Sequence, residues 1–241
     1  MQNAYKKIIL AMDPQHSALA AMETAATLAK QHDASVVVVD TVRPPSRSSL
    51  FFSSSAEDVF EMVVADKQNR IDKTREQFVE MGVKAEGKLL FGKSSEAITR
   101  EAIDSGSDLV IRYMKGVQSR YPGLFGNTAR NLMRVCPCPL LFVGSEPLES
   151  PKVLACVNAE HDANENSVIL SESEKLVART DDLAAIYCWS VPGQKYLQHY
   201  LTAETYDDTL KESEAIYRKL FDQFCEQQVT NNFRERMHFE Y

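Results

Sequence analysis

The chain, 241 residues long, predicts an α/β protein: a doubly wound, five-stranded parallel sheet followed by a second, partial copy of the same unit. Three observations carry this. Short apolar runs alternate with longer amphipathic stretches over the first 144 residues, the pattern of parallel strands joined by right-handed helical crossovers. Lys152-Val153-Leu154-Ala155-Cys156-Val157-Asn158 lines up with Lys7-Ile8-Ile9-Leu10-Ala11-Met12-Asp13 at a constant offset of 145, the mark of an internal repeat. Between the copies Ser145 to Pro151, with Pro147 and Pro151, reads as a linker, so the expected domains are 1–145 and 151–241.

Taken in order, the first domain offers strands at Lys7 to Met12, Ser35 to Val39, Lys88 to Phe91, Leu109 to Arg112 and Leu140 to Val143. Helices fall at Ser17 to Gln31, Ala56 to Met81, Ser95 to Ser105 and Asn127 to Arg134, each with apolar residues at three- and four-residue spacing. Two loops interrupt the rhythm: Pro44 to Ser55, rich in Pro and Ser, and Tyr113 to Gly126, with Gly116, Pro122, Gly123 and Gly126. Both follow the carboxyl end of a strand, where open α/β sheets bind ligands.

The second domain repeats the pattern with a strand at Val153, a helix at Asn166 to Arg179, a strand at Leu183 to Trp189, a turn at Pro192-Gly193, a helix at Tyr206 to Gln227 and a strand at Arg234 to Tyr241. On this reading it is truncated after its third strand. With the first strand central in a doubly wound order, losing strands four and five exposes that strand as an apolar edge. The expected cover is the first copy, a second chain in a homo-oligomer such as a dimer, or a missing continuation.

Composition narrows the function. The net charge is -7, with 27 Lys and Arg dispersed among 34 Asp and Glu, which argues against nucleic-acid binding, where clustered basic residues meet phosphates. The apolar run Ile8 to Met12 is too short for a signal sequence or a membrane span, so a cytoplasmic protein without membrane insertion is expected. Five cysteines, Cys136, Cys138, Cys156, Cys188 and Cys225, suit reduced thiols better than a disulfide framework. Cys136-Pro137-Cys138-Pro139 lacks the C-x-x-C spacing of redox or metal motifs. The preferred reading is small residues entering a buried strand.

Catalytic motifs are sparse. Gly87-Lys88-Leu89-Leu90-Phe91-Gly92-Lys93-Ser94 fits G-x4-G-K-(S/T), which would make a nucleotide hydrolase with Lys93 on phosphates and Ser94 on magnesium. A phosphate loop must be a turn, however, and the interior Lys88 to Phe91 is itself the best strand of its region. No nucleophile elbow, H-E-x-x-H pair or C-x-x-C pair occurs. The histidines His16, His32, His161, His199 and His238 are scattered. Glu160, His161, Asp162, Asn164 and Glu165 form an acidic stretch that reads as a solvated loop in preference to a cation site. Trp189, Pro192, Tyr196, Tyr200 and Tyr206 could line an apolar pocket, with packing the favoured alternative.

The residues also resemble a family. Ile8 to Asp13 followed by His16-Ser17 and an Ala-rich helix, Gly92 opening a helix, and Leu124-Phe125-Gly126-Asn127-Thr128-Ala129 leading through Arg134 to Val143 are similar to the universal stress proteins, in their tandem, E-like type. The resemblance implies a Rossmann-like sheet of the adenine nucleotide alpha hydrolase-like kind. It also implies a non-enzymatic stress-response module binding ATP, AMP or another small metabolite, an apolar one included. ATP-binding members carry Gly-x2-Gly-x9-Gly-(Ser/Thr), whose backbone amides and helix start hold phosphates. Gly116 and Gly126 keep the nine-residue gap, while Tyr113 stands at the first Gly and Asn127 at the Ser/Thr. The implied nucleotide-binding residues are Asp13, Thr41, Gly116, Gly126, Asn127 and Thr128, with Asp13 beside the base. No metal or catalytic residue is implied. The Tyr113 ring is expected to fill part of the site, and Asn127 to cap the following helix. Asn158, matching Asp13, has no phosphate loop of its own. The alternatives are the hydrolase and a ligand-free dimerisation scaffold.

Overall fold

A computed structural model describes residues 4–12, 19–45, 55–114, 126–158, 163–191, 193–228 and 237–240. The chain divides into two compact units, Met1–Glu149 and Ser150–Tyr241.

Unit 1 contains β1 (Lys7–Ala11), α1 (Leu19–His32), β2 (Ser35–Val42), α2 (Ser55–Glu80), β3 (Ala85–Phe91), α3 (Ser94–Ser105), β4 (Leu109–Tyr113), α4 (Asn127–Val135) and β5 (Leu140–Val143). Its strands run parallel in the order β3-β2-β1-β4-β5. The doubly wound reading is therefore met. Ile8, Ile9, Leu10 and Val36 to Val39 are fully buried, which is why the central strands read as unbroken apolar runs: both faces are covered.

Alternation along the strands sorts the two faces. Ile9, Ala11, Val37, Val39 and Val110 pack with Ile98 and Ala102 of α3 and Leu132 of α4. Ile8, Leu10, Val36 and Val38 point the other way, where α1 and α2 lie against the sheet. The buried face of α1 is mostly alanine, Ala20, Ala21, Ala25, Ala26 and Ala29 beside Met22, Thr24 and Leu28, which lets helix and sheet approach closely.

Two features hold α2. Asp40, 2% exposed, accepts from Lys67 Nζ at 2.8 Å and from the Thr41 amide at 2.6 Å, with Arg70 Nη1 3.9 Å away. Gly87 leaves room for the helix: a Cβ there would collide with Cγ2 of Ile71. The acidic strand end thus secures a helix, on the face opposite α3 and α4.

Unit 2 contains β6 (Val153–Val157), α5 (Ala163–Leu176), β7 (Leu183–Cys188), α6 (Gln194–Tyr200), α7 (Ala203–Gln228) and β8 (Met237–Glu240). Its three parallel strands run β6-β7-β8. One face is packed: Ala155, Val157, Leu183, Ala185 and Tyr187 meet Leu170, Phe221 and Phe224, and Tyr187 stacks on Phe221 with centroids 5.9 Å apart. The other face is open at Leu154, 55% exposed, and at Cys156 and Cys188. Among the described residues β6 pairs with β7 alone.

Several boundaries differ from expectation. β3 starts at Ala85, three residues before the predicted Lys88, because Glu86 and Gly87 extend the pairing with Val37 and Val38. α5 spans Ala163–Leu176 instead of Asn166 to Arg179, since Val177 turns into the core and a 3-10 turn, Thr180–Asp182, follows. Where a turn and aromatic loop were expected, Gln194–Tyr200 is helical after Gly193, and α7 starts at Ala203.

Candidate functional site

A cleft of about 350 Å³ lies at the carboxyl ends of β2 and β3, on the α3 and α4 side. Thr41 and Arg43 come from the end of β2, Gly92 and Lys93 from the end of β3, Ser94 and Ser95 from the start of α3, and Asn127, Thr128 and Asn131 from the start of α4. Gly92 makes the turn from β3 into α3 at φ +124, a conformation that disfavours side chains. Its amide donates to the Val42 carbonyl at 2.9 Å. The Thr41 and Ser94 hydroxyls share a 2.6 Å hydrogen bond that ties the end of β2 to the start of α3.

The electrostatics favour an anion. The N-caps of the two helices are Lys93 and Gly126, and neither makes a side-chain capping bond. Each helix start therefore presents first-turn amides and a partial positive charge to the cleft. Arg43 and Lys93 add two cations. Lys93 Nζ is held by Glu96 Oε1 at 2.8 Å, and that contact lowers the Glu96 carboxyl below its ordinary range.

Thr41, Asn127 and Thr128, three of the anticipated residues, line this one cleft, and Gly126 starts the helix at its edge. Asp13 and Gly116 lie outside the described residues. Gly126 has φ -63, a backbone conformation open to any residue, and among the described residues nothing lies within 4 Å of a would-be Cβ. Arg43 was not anticipated. Its position one residue past β2, at the mouth of the Pro and Ser loop, was the available signal.

Two expectations are corrected. Tyr113 shares strand parity with Leu109 and Ile111, opposite Val110, and is 6% exposed. Its ring is buried away from the cleft and does not line it. Asn127 does not cap α4: it is the first helical residue, and its Oδ1 accepts from Arg130 Nη2 at 2.8 Å.

The phosphate-loop match is split. Gly87 to Phe91 is strand, and Lys88 is tied to Glu101 Oε1 at 2.7 Å, a bond that raises the Lys88 pKa. Only Gly92, Lys93 and Ser94 reach the cleft. A backbone paired along β2 cannot wrap a phosphate.

In unit 2 the matching strand end is filled from within. Asn166, 1% exposed, donates to the Asn158 carbonyl at 2.7 Å and accepts from the Asn158 amide at 2.9 Å. Trp189 stacks on Tyr217 and Phe239, with centroids at 5.2 and 5.9 Å, while Tyr196 and Tyr200 are 71% and 84% exposed. The tryptophan thus belongs to the core. Glu160, His161 and Asp162 lie outside the described residues, and among those described no cluster of three or more His, Cys, Asp and Glu could hold a metal. No helix there is long and apolar enough to cross a membrane.

Comparison with known proteins places these features among relatives. The family model described as the universal stress protein family matches residues 4–144. A universal stress protein of Methanocaldococcus jannaschii is 28% identical over 142 residues, covering 59% of this chain and 84% of that protein. Among solved structures, universal stress protein UspA from Lactobacillus plantarum overlays with a TM-score of 0.51 at 17% identity, covering 58% of this chain and 98% of that one. A functionally unknown protein from Pseudomonas aeruginosa PAO1 overlays with a TM-score of 0.65 at 16% identity, covering 99% of this chain and 74% of that one. At these identities the overlays speak for the fold.

Proposed function

The chain belongs to the universal stress protein family, and from that premise we propose that unit 1 is a non-enzymatic module that binds an adenine nucleotide, ATP or AMP, with its phosphates in the cleft. The observation that carries this reading is the convergence of two helix starts, both without side-chain caps, with Arg43 and Lys93 on one cleft. Helix starts and paired cations are what phosphates seek. A volume of about 350 Å³ lies within the usual range of ligand pockets. The lining is hydroxyls, amides and cations, which suits a phosphorylated ligand better than an apolar metabolite. The base end of the ligand falls, by resemblance, toward Asp13.

Nothing in the cleft is arranged to activate water. Among the described residues the carboxylate next to it, Glu96, is exposed and engaged by Lys93. The same reading takes unit 2 as a second copy whose strand end Asn166 fills, so one nucleotide per chain is expected. It also takes the protein to be cytoplasmic and to self-associate as a dimer.

Calorimetric titration with ATP and AMP tests the binding. We expect one site per chain, and binding at least about tenfold weaker, about 1.4 kcal/mol, in Gly126→Val and in Arg43→Ala. Lys93→Ala weakens binding under the hydrolase reading as well, because Lys93 lines the same cleft. The two readings separate on turnover: bound ATP should be recovered intact, and steady release of ADP would overturn the non-enzymatic assignment. Unchanged affinity in both Gly126→Val and Arg43→Ala would overturn the cleft.

A further inference from the structure

We propose that Cys136 and Cys138 form a dithiol site that reduces hydroperoxides and closes to an intrachain disulfide, apart from the nucleotide cleft. The sequence builds the pair by backbone restriction. Each cysteine precedes a proline, Pro137 or Pro139, and a residue before proline is pushed out of the helical region into extended conformation. Cys136 has φ -71 and ψ 129. In an extended chain residues two apart project to the same side, and the two sulfurs stand 3.7 Å apart.

The pair sits where such a site can work. Cys136 is the C-cap of α4, its amide bonded to the Leu132 carbonyl at 2.8 Å. Both cysteines pack at the edge of the unit 1 core while staying only partly buried. They lead into β5, as the sequence suggested, at the edge of the core. Each side chain packs against the core and remains partly exposed. The two thiols share a hydrogen bond in which either sulfur can donate; with Cys138 as the donor it holds the Cys136 thiol below its ordinary range and pushes Cys138 up. We take Cys136 as the nucleophile and Cys138 as the proton-bearing partner. Among the other cysteines Cys225 is buried, whereas Cys156 and Cys188 are exposed.

The chemistry balances with a hydroperoxide as the oxidant. The Cys136 thiolate attacks a peroxide oxygen, an S–O bond forms, the O–O bond breaks, and the departing oxygen takes a proton from solvent and leaves as water from hydrogen peroxide or as an alcohol from an organic hydroperoxide. The sulfur is now a sulfenic acid, oxidised by two electrons while the peroxide is reduced. Cys138 then attacks the Cys136 sulfur, the S–S bond forms, the S–O bond breaks, and the departing hydroxide takes the Cys138 proton as water. A ring closed over one intervening residue is strained, and strained disulfides are readily reopened by small thiols.

The test uses the full chain, reduced, treated with one equivalent of hydrogen peroxide and alkylated at intervals before digestion and mass spectrometry. The peptide containing both cysteines should lose two hydrogen masses and resist alkylation, and dithiothreitol should restore it. This loss should run at least about tenfold faster than loss of alkylable thiol at Cys156 or Cys188. Cys138→Ser, checked by circular dichroism for an unchanged fold, should instead accumulate a sulfenic acid on Cys136 that dimedone traps. Oxidation of the pair no faster than at Cys156, or disulfides that join Cys136 or Cys138 to another cysteine or another chain, would overturn the proposal.

Discussion

Ile9 and Leu154 align in two similar strand sequences 145 residues apart, yet Ile9 is fully buried and Leu154 is 55% exposed. Ala11 and Cys156 show the same contrast. The first strands of the two units are equally apolar, so the difference does not lie in the strands. It lies in what covers them. In unit 1, α3 and α4 pack over the face that carries Ile9 and Ala11, whereas in unit 2 only the opposite face, that of Ala155 and Val157, has a helix-packed core among the described residues. An apolar strand sequence therefore announces a strand that two layers can cover, and the layers are a separate fact.

Selective destabilisation breaks the comparison most sharply. Asp40→Ala removes a buried carboxylate and leaves the partly buried Lys67 without its partner, a change that costs about 3 kcal/mol. The single tryptophan, Trp189, lies in unit 2, so its fluorescence reports that unit while far-ultraviolet dichroism reports both. In urea, Asp40→Ala should move the dichroism transition to lower denaturant and leave the tryptophan transition in place. A joint shift would mean that the units unfold as one.

Paired truncations at the matched position are the next largest effect. Ile9→Ala should cost about 2–4 kcal/mol by transfer and cavity, and Leu154→Ala no more than about 0.5 kcal/mol, as for an exposed site. Equal losses would show that Leu154 is covered in solution, and a concentration-dependent loss for Leu154→Ala would assign the cover to a second chain.

The smallest effect concerns the strand ends. Asn166→Ala removes two hydrogen bonds from the Asn158 backbone and should cost about 1–2 kcal/mol, read in the Trp189 transition. Nucleotide stoichiometry should stay at one per chain. A second site appearing in Asn166→Ala would show that this side chain is what separates the strand end of unit 2 from that of unit 1.

The candidate site was legible in part, for reasons particular to its residues. Thr41, Asn127 and Thr128 were found because a glycine spacing and a strand end survive as linear patterns. Arg43 and the Thr41 to Ser94 bond were not, because they join segments 53 residues apart that meet only once β2 and β3 pair. Tyr113 was misjudged because sequence position says which strand a residue ends and not which face it takes. Asn127 was misjudged by one residue at a helix start, where caps and first-turn residues share a composition.

By itself the sequence determined the doubly wound parallel sheet of unit 1, the likeness of Lys152–Asn158 to Lys7–Asp13 at offset 145, and the entry of Cys-Pro-Cys-Pro into a strand. Each follows from a local or periodic rule: apolar runs, self-similarity, and the restriction that proline places on its predecessor. Tertiary structure alone decided that α3 and α4 start without side-chain caps on one cleft, that Asp40 is paired with Lys67 of α2, and that two cysteines without a recognised motif bring their sulfurs to 3.7 Å. These depend on which chain segments become neighbours and which face each side chain takes, and neither is written in the spacing of residues along one strand.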